Sequence, residues 1–438
     1  MTLKSLRDFR IVQGDLDVQF ETKKTEKLER VVQIKSEVST SNFKLSFVGE
    51  GDGFKYKITS PEVADLGYGM CVKISGAVSR PEVMGSSEVE TLYQFPYPEY
   101  LAKDGIYLLY RASKIEPFSE CLPLSKFEQV KLFFLNQKIS ITNIFLKKYD
   151  QPYAGLVAGV LIAGKGLMSK ETLEIFKKVS LSHVIVLSGS NVSIIIFCIK
   201  YIFDLIFSIL RIRENLFVEI VKKILIMISI MSFVLLTGGG APIYRAFVSS
   251  FCALVLFKKN TNQVYALTIV VLLMTIWNPF GTLYDPSFHL TCCATYGLIL
   301  FSKYFDRVII FSWLHWMPNF LREIISVTLA TQVFVFPYII FMSGSFSTIF
   351  LLSNVLVLPL LPMVMLFGFL SLFPIISAVM IFVNNVILKT IFYFVKVLSE
   401  VPFAYIVFSK KICILILVGY GVFVLFLFWK MKKVDIVN

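Results

Sequence analysis

Charge is scarce in this sequence. Only 17% of the 438 residues are Asp, Glu, Lys or Arg, and the mean hydropathy is +0.72. A soluble domain has nowhere to hide that much apolar surface, so a chain that is soluble throughout is excluded and a bilayer becomes part of its solvent. Histidine is almost missing: three residues stand far apart, and no C-x-x-C pair occurs among the seven Cys. That excludes the common zinc spacings, and neither a metal nor another cofactor is expected. The opening "MTLKSLRDFRIVQGD" has no apolar h-region, which excludes an ordinary secretory signal at this point.

Acidic residues are lacking in one part of the chain only. Of 43 basic and 30 acidic residues, positions 1–150 hold 21 and 20, leaving 22 and 10 for the remainder. One part therefore reads as a balanced, water-soluble domain and the other as a basic membrane body. Cys198, Cys252, Cys292, Cys293 and Cys413 lie in apolar runs, where a thiol behaves as a small hydrophobe. Cys71 and Cys121 fall in the soluble part. They bridge if that part meets an oxidising compartment and stay free thiols otherwise; both readings remain open.

Between Val31 and Lys114 short alternating runs are broken by turn residues. "RVVQIKSEVS", "NFKLSFVG", "FKYKITSP", "CVKISGAVSRPE" and "GIYLLYRASKIEP" read as strands, with "GEGDG" and "PYPEY" as connections. Five strands in this length predict a small OB-like β-barrel. Aromatic strands of such a barrel can stack bases, but a net charge near zero argues against tight phosphate binding, so a structural barrel is expected. Residues 126–150 read as a linker helix.

Apolar runs follow at 183–210, 216–236, 242–257, 263–277, 288–301, 324–342, 346–372, 375–399 and 412–429. Several are shorter than the roughly 20 residues of a straight span, and Pro or Gly interrupts others. Such breaks survive in lipid only where protein or a watery cavity satisfies the freed backbone. The expected class is thus a polytopic α-helical membrane protein with an N-terminal soluble small β-barrel. Its divisions are a β domain (1–125), the linker helix, a membrane domain (151–410), and a last helix with a basic tail (411–438). Basic residues cluster at Arg211, Arg213, Lys222 and Lys223, at Lys258 and Lys259, and at Lys303 and Arg307, on alternate loops. By the positive-inside tendency these loops are cytoplasmic, and "TGGGAP", "NPFGTLYDPS" and the β domain face outward. An outward domain without a signal requires either spans upstream or a later helix that draws it across.

Polar groups gather at the outward side of several runs. "SHVIVLSGSNVS" opens an apolar run with His183, Ser188, Gly189, Ser190 and Asn191. "TGGGAPIYRAFVSS" sets Gly239, Gly240 and Pro242 before Arg245. Arginine in a span costs about 2.5–3.5 kcal/mol on insertion scales, so it faces a cavity or a partner. "NPFGTLYDPSFHLTCCATYG" places Asp285 and His289 one turn apart, and Asp285 is the expected partner of Arg245. Gln332, Pro337, Asn354 and Pro359 add polar and helix-breaking positions inside further runs.

These motifs, in this order, resemble the competence domain of the ComEC family, the inner-membrane channel for DNA uptake in bacteria. "FKKVSLSHVIVLSGSNV", "GGGAPIYRAF", "NPFGTLYDPSFHLTCCATYGL", "TQVFVFP" and "LSNVLVLPL" carry the resemblance over residues 153–405, and the β domain at 30–120 shares it more loosely. Asn191 stands where many members have a second His, and His289 where Gln is common. The family's leading membrane hairpin and its metallo-β-lactamase-like domain have no counterpart here, so no nuclease role is expected of this chain. The resemblance implies passage of a single DNA strand through a polar, basic-biased pore in the bacterial inner membrane. Arg245 would meet phosphates or gate against Asp285. His183, Ser188, Ser190, Asn191 and Gln332 line the path, and Gly189, Gly239, Gly240, Pro242, His289 and Asn354 complete the candidate set. Implied partners are single-stranded DNA, the lipid bilayer, a separate DNA receptor and a cytoplasmic motor; a homo-oligomer is compatible with this.

Other readings compete. Arg245 serves equally as a structural salt bridge, and His183 as a helix cap. "GVLIAGKG" is one residue short of a P-loop, because Gly166 replaces the Ser or Thr that holds Mg²⁺, so ATP binding is not expected. An intramembrane serine protease, with Ser190 as nucleophile and His289 as base, lacks any specified oxyanion hole. A related channel for another substrate, or an inactive remnant, is the remaining alternative. No catalysis is expected.

Overall fold

Alternation of apolar and polar side chains builds the first third of the chain into β1 (Leu28–Ile34), β2 (Ser39–Ser41), β3 (Lys44–Gly51), β4 (Phe54–Ser60), β5 (Cys71–Ser79) and β6 (Ile106–Phe118). This computed structural model describes residues 28–41, 44–61, 66–82, 92–185, 215–238, 241–252, 262–310 and 317–437, with a few positions between 195 and 211. β1 pairs antiparallel with both β5 and β3, β3 with β4, and β5 with β6, whereas β4 and β6 run parallel. Five strands thereby close into a barrel, and β2 extends the sheet beside β3. Its interior is filled by Val32, Ile34, Phe47, Tyr56, Ile58, Val72, Ile74, Leu108 and Tyr110. Closure depends on two glycines. A Cβ at Gly51 would stand 2.5 Å from the Val31 carbonyl oxygen, and one at Gly49 3.0 Å from Val32 Cγ2. Only bare backbone lets β3 approach β1 so closely.

Two sequence expectations are corrected here. "GEGDG" is not all connection: Gly49 to Gly51 belong to β3, and the turn is Asp52-Gly53, both at positive φ (52° and 79°) as a two-residue hairpin requires. "PYPEY" is not a loop but opens a short helix, α1 (Tyr97–Ala102). Pro98 sits in its first turn, where the missing N–H is not needed. The structure also resolves the two open thiols: Cys71 and Cys121 are bonded, with Cα atoms 5.6 Å apart, inside the usual disulfide range.

The barrel hands over to α2 (Lys126–Lys148) through a capping box. Ser125 accepts from the Glu128 backbone N–H, and Glu128 in turn accepts from Ser125 and pairs with Lys35 of the barrel. Lys35 and the Ser125 donors hold the Glu128 carboxyl down at about 2. Beyond it come α3 (Tyr153–Ile162), α4 (Lys170–Lys178), α5 (Ser182–Ile185), α6 (Leu216–Leu236), α7 (Ala241–Phe251), α8 (Gln263–Trp277) and α9 (Pro279–Tyr284). The chain continues with α10 (Pro286–Ile310), α11 (Asn319–Ser343), α12 (Phe350–Val357), α13 (Leu361–Leu370), α14 (Ser377–Ser399) and α15 (Lys410–Val437). Two short strands, β7 (Ser345–Ser347) and β8 (Tyr405–Val407), pair between α11 and α15.

Among the described residues four segments are long and apolar enough to cross a membrane: 319–343, 350–370, 377–399 and 410–430. The second is broken where Pro359 turns 358–360 into a 3₁₀ step between α12 and α13. The run read as 288–301 is longer than its apolar stretch, because Lys303, Asp306 and Arg307 prolong α10 as a polar tail. α10 and α11 lie antiparallel in close contact at Gly297, where a Cβ would meet the Ala330 carbonyl oxygen at 2.4 Å. α3 is only ten residues, and Ala154 through Ile162 are all buried against Phe176, Leu361, Val364, Leu388 and Ile391. A helix of about 15 Å cannot span a bilayer alone, so its exposed ends need protein around them.

Two outcomes follow. The folded pKa of Glu128 lies below its ordinary 4.5, so its contribution to stability is present above that value and drains away as pH falls towards 2. Melting temperatures in detergent between pH 5 and 2 should therefore fall less steeply in Glu128→Gln than in the parent. Replacing Cys71 and Cys121 together by Ser frees a cross-link spanning 50 residues. The expected loss is about 4 kcal/mol, read as roughly thousandfold faster hydrogen exchange in the barrel strands.

Candidate functional site at the barrel–helix junction

Asp285 closes α9 and opens α10. Its Oδ1 accepts the Ser287 backbone N–H at 3.0 Å, and its carbonyl accepts from Phe288 and His289, as an N-cap does. Its Oδ2 faces Lys103 Nζ at 3.1 Å, and this pair is nearly dry, the side chains being 9% and 4% exposed. Arg245 was the expected partner; the described partner is Lys103, delivered from the barrel by the end of α1. Only the backbone of Arg245 and Pro242, in α7, is described. Lys103 also lies 3.8 Å from the centre of the Tyr100 ring. Burial works against its charge, but Tyr100, Asp285 and Asp104 outweigh it and leave the ammonium pKa raised. The Asn278 side chain donates to the Lys103 carbonyl at 2.9 Å and accepts from Gly281 N, so one residue caps α9 and grips the barrel.

His289 sits one turn along α10. Its Nε2 meets the Thr282 carbonyl at 2.8 Å, so Nε2 carries the proton, and Nδ1 meets the Tyr338 hydroxyl at 2.9 Å. Both ring nitrogens are engaged. Among the described residues neither partner is a serine. Tyr93 packs on Phe341 close by, so the segment before α1 also leans on α11.

A second contact joins the same halves. Lys138, in the middle of α2 and 3% exposed, donates to Glu37 Oε2 at 2.6 Å and reaches the Thr237 carbonyl at 3.5 Å. Thr237 caps the end of α6, and Gly238 opens the "GGGAP" motif. Gly238 has φ +83°, and a Cβ there would lie 3.9 Å from Lys138 Nζ. Gly239 and Gly240 fall outside the described residues.

The remaining candidates divide. Ser188, Gly189, Ser190 and Asn191 lie outside the described residues. The approach to them is described: α5 carries His183 with an exposed side chain, while Val184 and Ile185 are buried. There α3 comes so close that a Cβ at Gly159 would stand 2.8 Å from the Ile185 carbonyl oxygen. Gln332 is within α11, its carbonyl accepting from the Tyr420 hydroxyl of α15 at 3.4 Å. Its side-chain Oε1 is buried with no partner among the described residues, as are Asn354 Oδ1 in α12 and Asn384 Oδ1 in α14. The neighbouring Ser353 is satisfied, donating to the Val179 carbonyl at 2.7 Å.

Sequence reasoning missed Lys103 and Lys138. In a charge-balanced domain both resemble surface residues. Lys138 alone left a trace, a cation inside the otherwise uncharged "FFLNQKISITNIF". Removing half of a buried pair typically costs 3–5 kcal/mol, because the other charge is stranded. Asp285→Asn should therefore undock the barrel and depress the folded yield, while Lys103→Met with Asp285→Leu restores much of it. Size-exclusion profiles in detergent after graded heating distinguish the two.

A family described as Competence protein matches residues 160–433. The ComE operon protein 3 of Bacillus subtilis (strain 168) is 24% identical over 293 residues, which is 66% of this chain and 34% of that protein. The chain thus spans about a third of the length of that relative. No solved structure matches it.

Proposed function

The chain belongs to the competence protein family, and from that premise we propose that its helices form a conduit for one DNA strand across the bacterial inner membrane. In this reading the barrel sits on the extracytoplasmic face. The observation that carries it is the set of buried side-chain oxygens of Gln332 and Asn354, without a partner among the described residues, within otherwise apolar helices. Lipid offers such groups nothing, and leaving one unpaired costs about 1–3 kcal/mol. Water or the amino groups of a passing strand would supply what they lack. The break at Pro359 and the wholly buried α3 support the same reading, since irregular backbone at membrane depth belongs beside a hydrated path.

Orientation has its own support. A disulfide belongs to an oxidising compartment, and Cys71–Cys121 lies in the barrel. α6 carries Lys222 and Lys223 near its start, and at its other end Thr237 meets Lys138 of α2 while Gly238 lies beside Glu37 of the barrel. α10 meets the barrel at Asp285 and carries Arg307 in its last turn. On both helices the basic residues stand at the end away from the barrel, in keeping with a cytoplasmic location. The barrel is read as OB-like: its five strands close in the order β1-β3-β4-β6-β5-β1 with β4 and β6 parallel, a Greek-key arrangement. A separate receptor would deliver DNA and a separate motor would draw it inward.

The test is genetic. Deleting the gene should abolish transformation and uptake of labelled DNA, and a copy carrying Gln332→Leu and Asn354→Leu should fail to restore them while still accumulating in the membrane. Transformation unaffected by the deletion rejects the reading.

A further inference from the structure

Two lysines tie the barrel and its linker to the helices, and they are built differently. Lys103 and Asp285 are both nearly dry, 9% and 4% exposed, and neither can leave without stranding the other. Lys138 is equally buried at 4%, but the side chain of its partner Glu37 is 48% exposed. A carboxylate half in water loses little on swinging out, because water replaces its hydrogen bonds. The ammonium left behind loses much, and its one other described contact is the long 3.5 Å approach to the Thr237 carbonyl. A cation held in this way requires an anion but not a particular one.

The surroundings make room for a substitute. Gly238 has no side chain to cover the pair: a Cβ there would stand 3.7 Å from Glu37 Oε2 and 3.9 Å from Lys138 Nζ. Glu37 belongs to the short connection between β1 and β2, and β2 also touches the 165–167 turn that follows α3. The connection therefore lies at the 237–238 corner of the helical half, and β2, which follows it, at the 165–167 corner.

We propose that Glu37 is a stand-in for a backbone phosphate on Lys138. The connection around Glu37 rests over the Gly238 corner until an arriving phosphodiester strand displaces the carboxylate and takes the ammonium. This deepens the conduit reading and rests on it: the strand is taken to pass the Gly238 corner. The exchange forms and breaks only ionic and hydrogen bonds. Lys138 presents a compact point charge, suited to phosphates met in changing orientations.

Glu37→Gln tests it, since the neutral amide keeps the shape and removes the competing charge. The probe is a short oligothymidylate, titrated against the full chain in nanodiscs over a range of salt, with a methylphosphonate oligomer of equal length as the uncharged control. The variant should bind oligothymidylate about tenfold more tightly. Its plot of log affinity against log salt should steepen by about 0.7, one phosphate more on a single strand. The methylphosphonate should gain nothing. Lys138→Gln should weaken binding, and with Lys138 neutral the Glu37 substitution should have no further effect. If Lys138→Gln fails to fold, Lys138→Arg serves instead and should retain the Glu37 response. Unchanged affinity and slope in Glu37→Gln, with transformation still dependent on Gln332 and Asn354, overturn the exchange and leave the conduit standing. A parent chain that binds no oligothymidylate, in cells whose transformation survives deletion of the gene, overturns both.

Discussion

A charged pair sealed between a water-soluble barrel and apolar helices must form as the two meet, since either ion alone in that place is costly. Lys103 and Asp285 are such a pair. Asp285 is also the N-cap of α10, and α10 is the helix against which α11 packs through Gly297. The position of the barrel, the start of α10 and the seating of α11 are thus one problem with one solution. His289 and Tyr338 repeat the arrangement a turn deeper, joining α10 to α11 through an imidazole whose two nitrogens are both taken.

Away from this junction the helices are governed by what lipid cannot supply. α3 is too short to cross and is enclosed on every side; α12 and α13 are one span interrupted at Pro359. Carbonyls left over at helix ends find neighbouring donors: Ser353 of α12 donates to the Val179 carbonyl at the end of α4, and Lys148 of α2 donates to the Ser371 carbonyl at the end of α13. Among the described residues the same packing leaves one side-chain oxygen each of Gln332, Asn354 and Asn384 without a donor. Polar residues in these positions weaken the helices they occupy unless something other than hydrocarbon reaches them.

Much of this was legible in the residues. Period-two alternation marked all five barrel strands, because one face of each is buried and the other is wet. The polar turns before α10 and around Gly238 stand out in the sequence as candidate positions, because glycine, proline and ionisable groups are out of place next to apolar runs. Partners were harder to read. Asp285 points at a lysine 182 positions earlier, and nothing local to either residue announces that pairing. Charge balance concealed Lys103 and Lys138, since a buried cation and a solvated one look alike in a sequence. The turn at Asp52-Gly53 is legible in the sequence, whereas Gly49 and Gly51 before it look like loop and are strand. Glycine marks close approach as readily as it marks a bend.

The linkage between Cys71 and Cys121 has a mechanical side. Cys71 begins β5, and Cys121 lies between the end of β6 and the start of α2. Tension passed along the chain from α2 meets Cys121 before it meets β6. The load is then carried by a covalent bond into β5, and β6 is spared being peeled from its neighbours one hydrogen bond at a time.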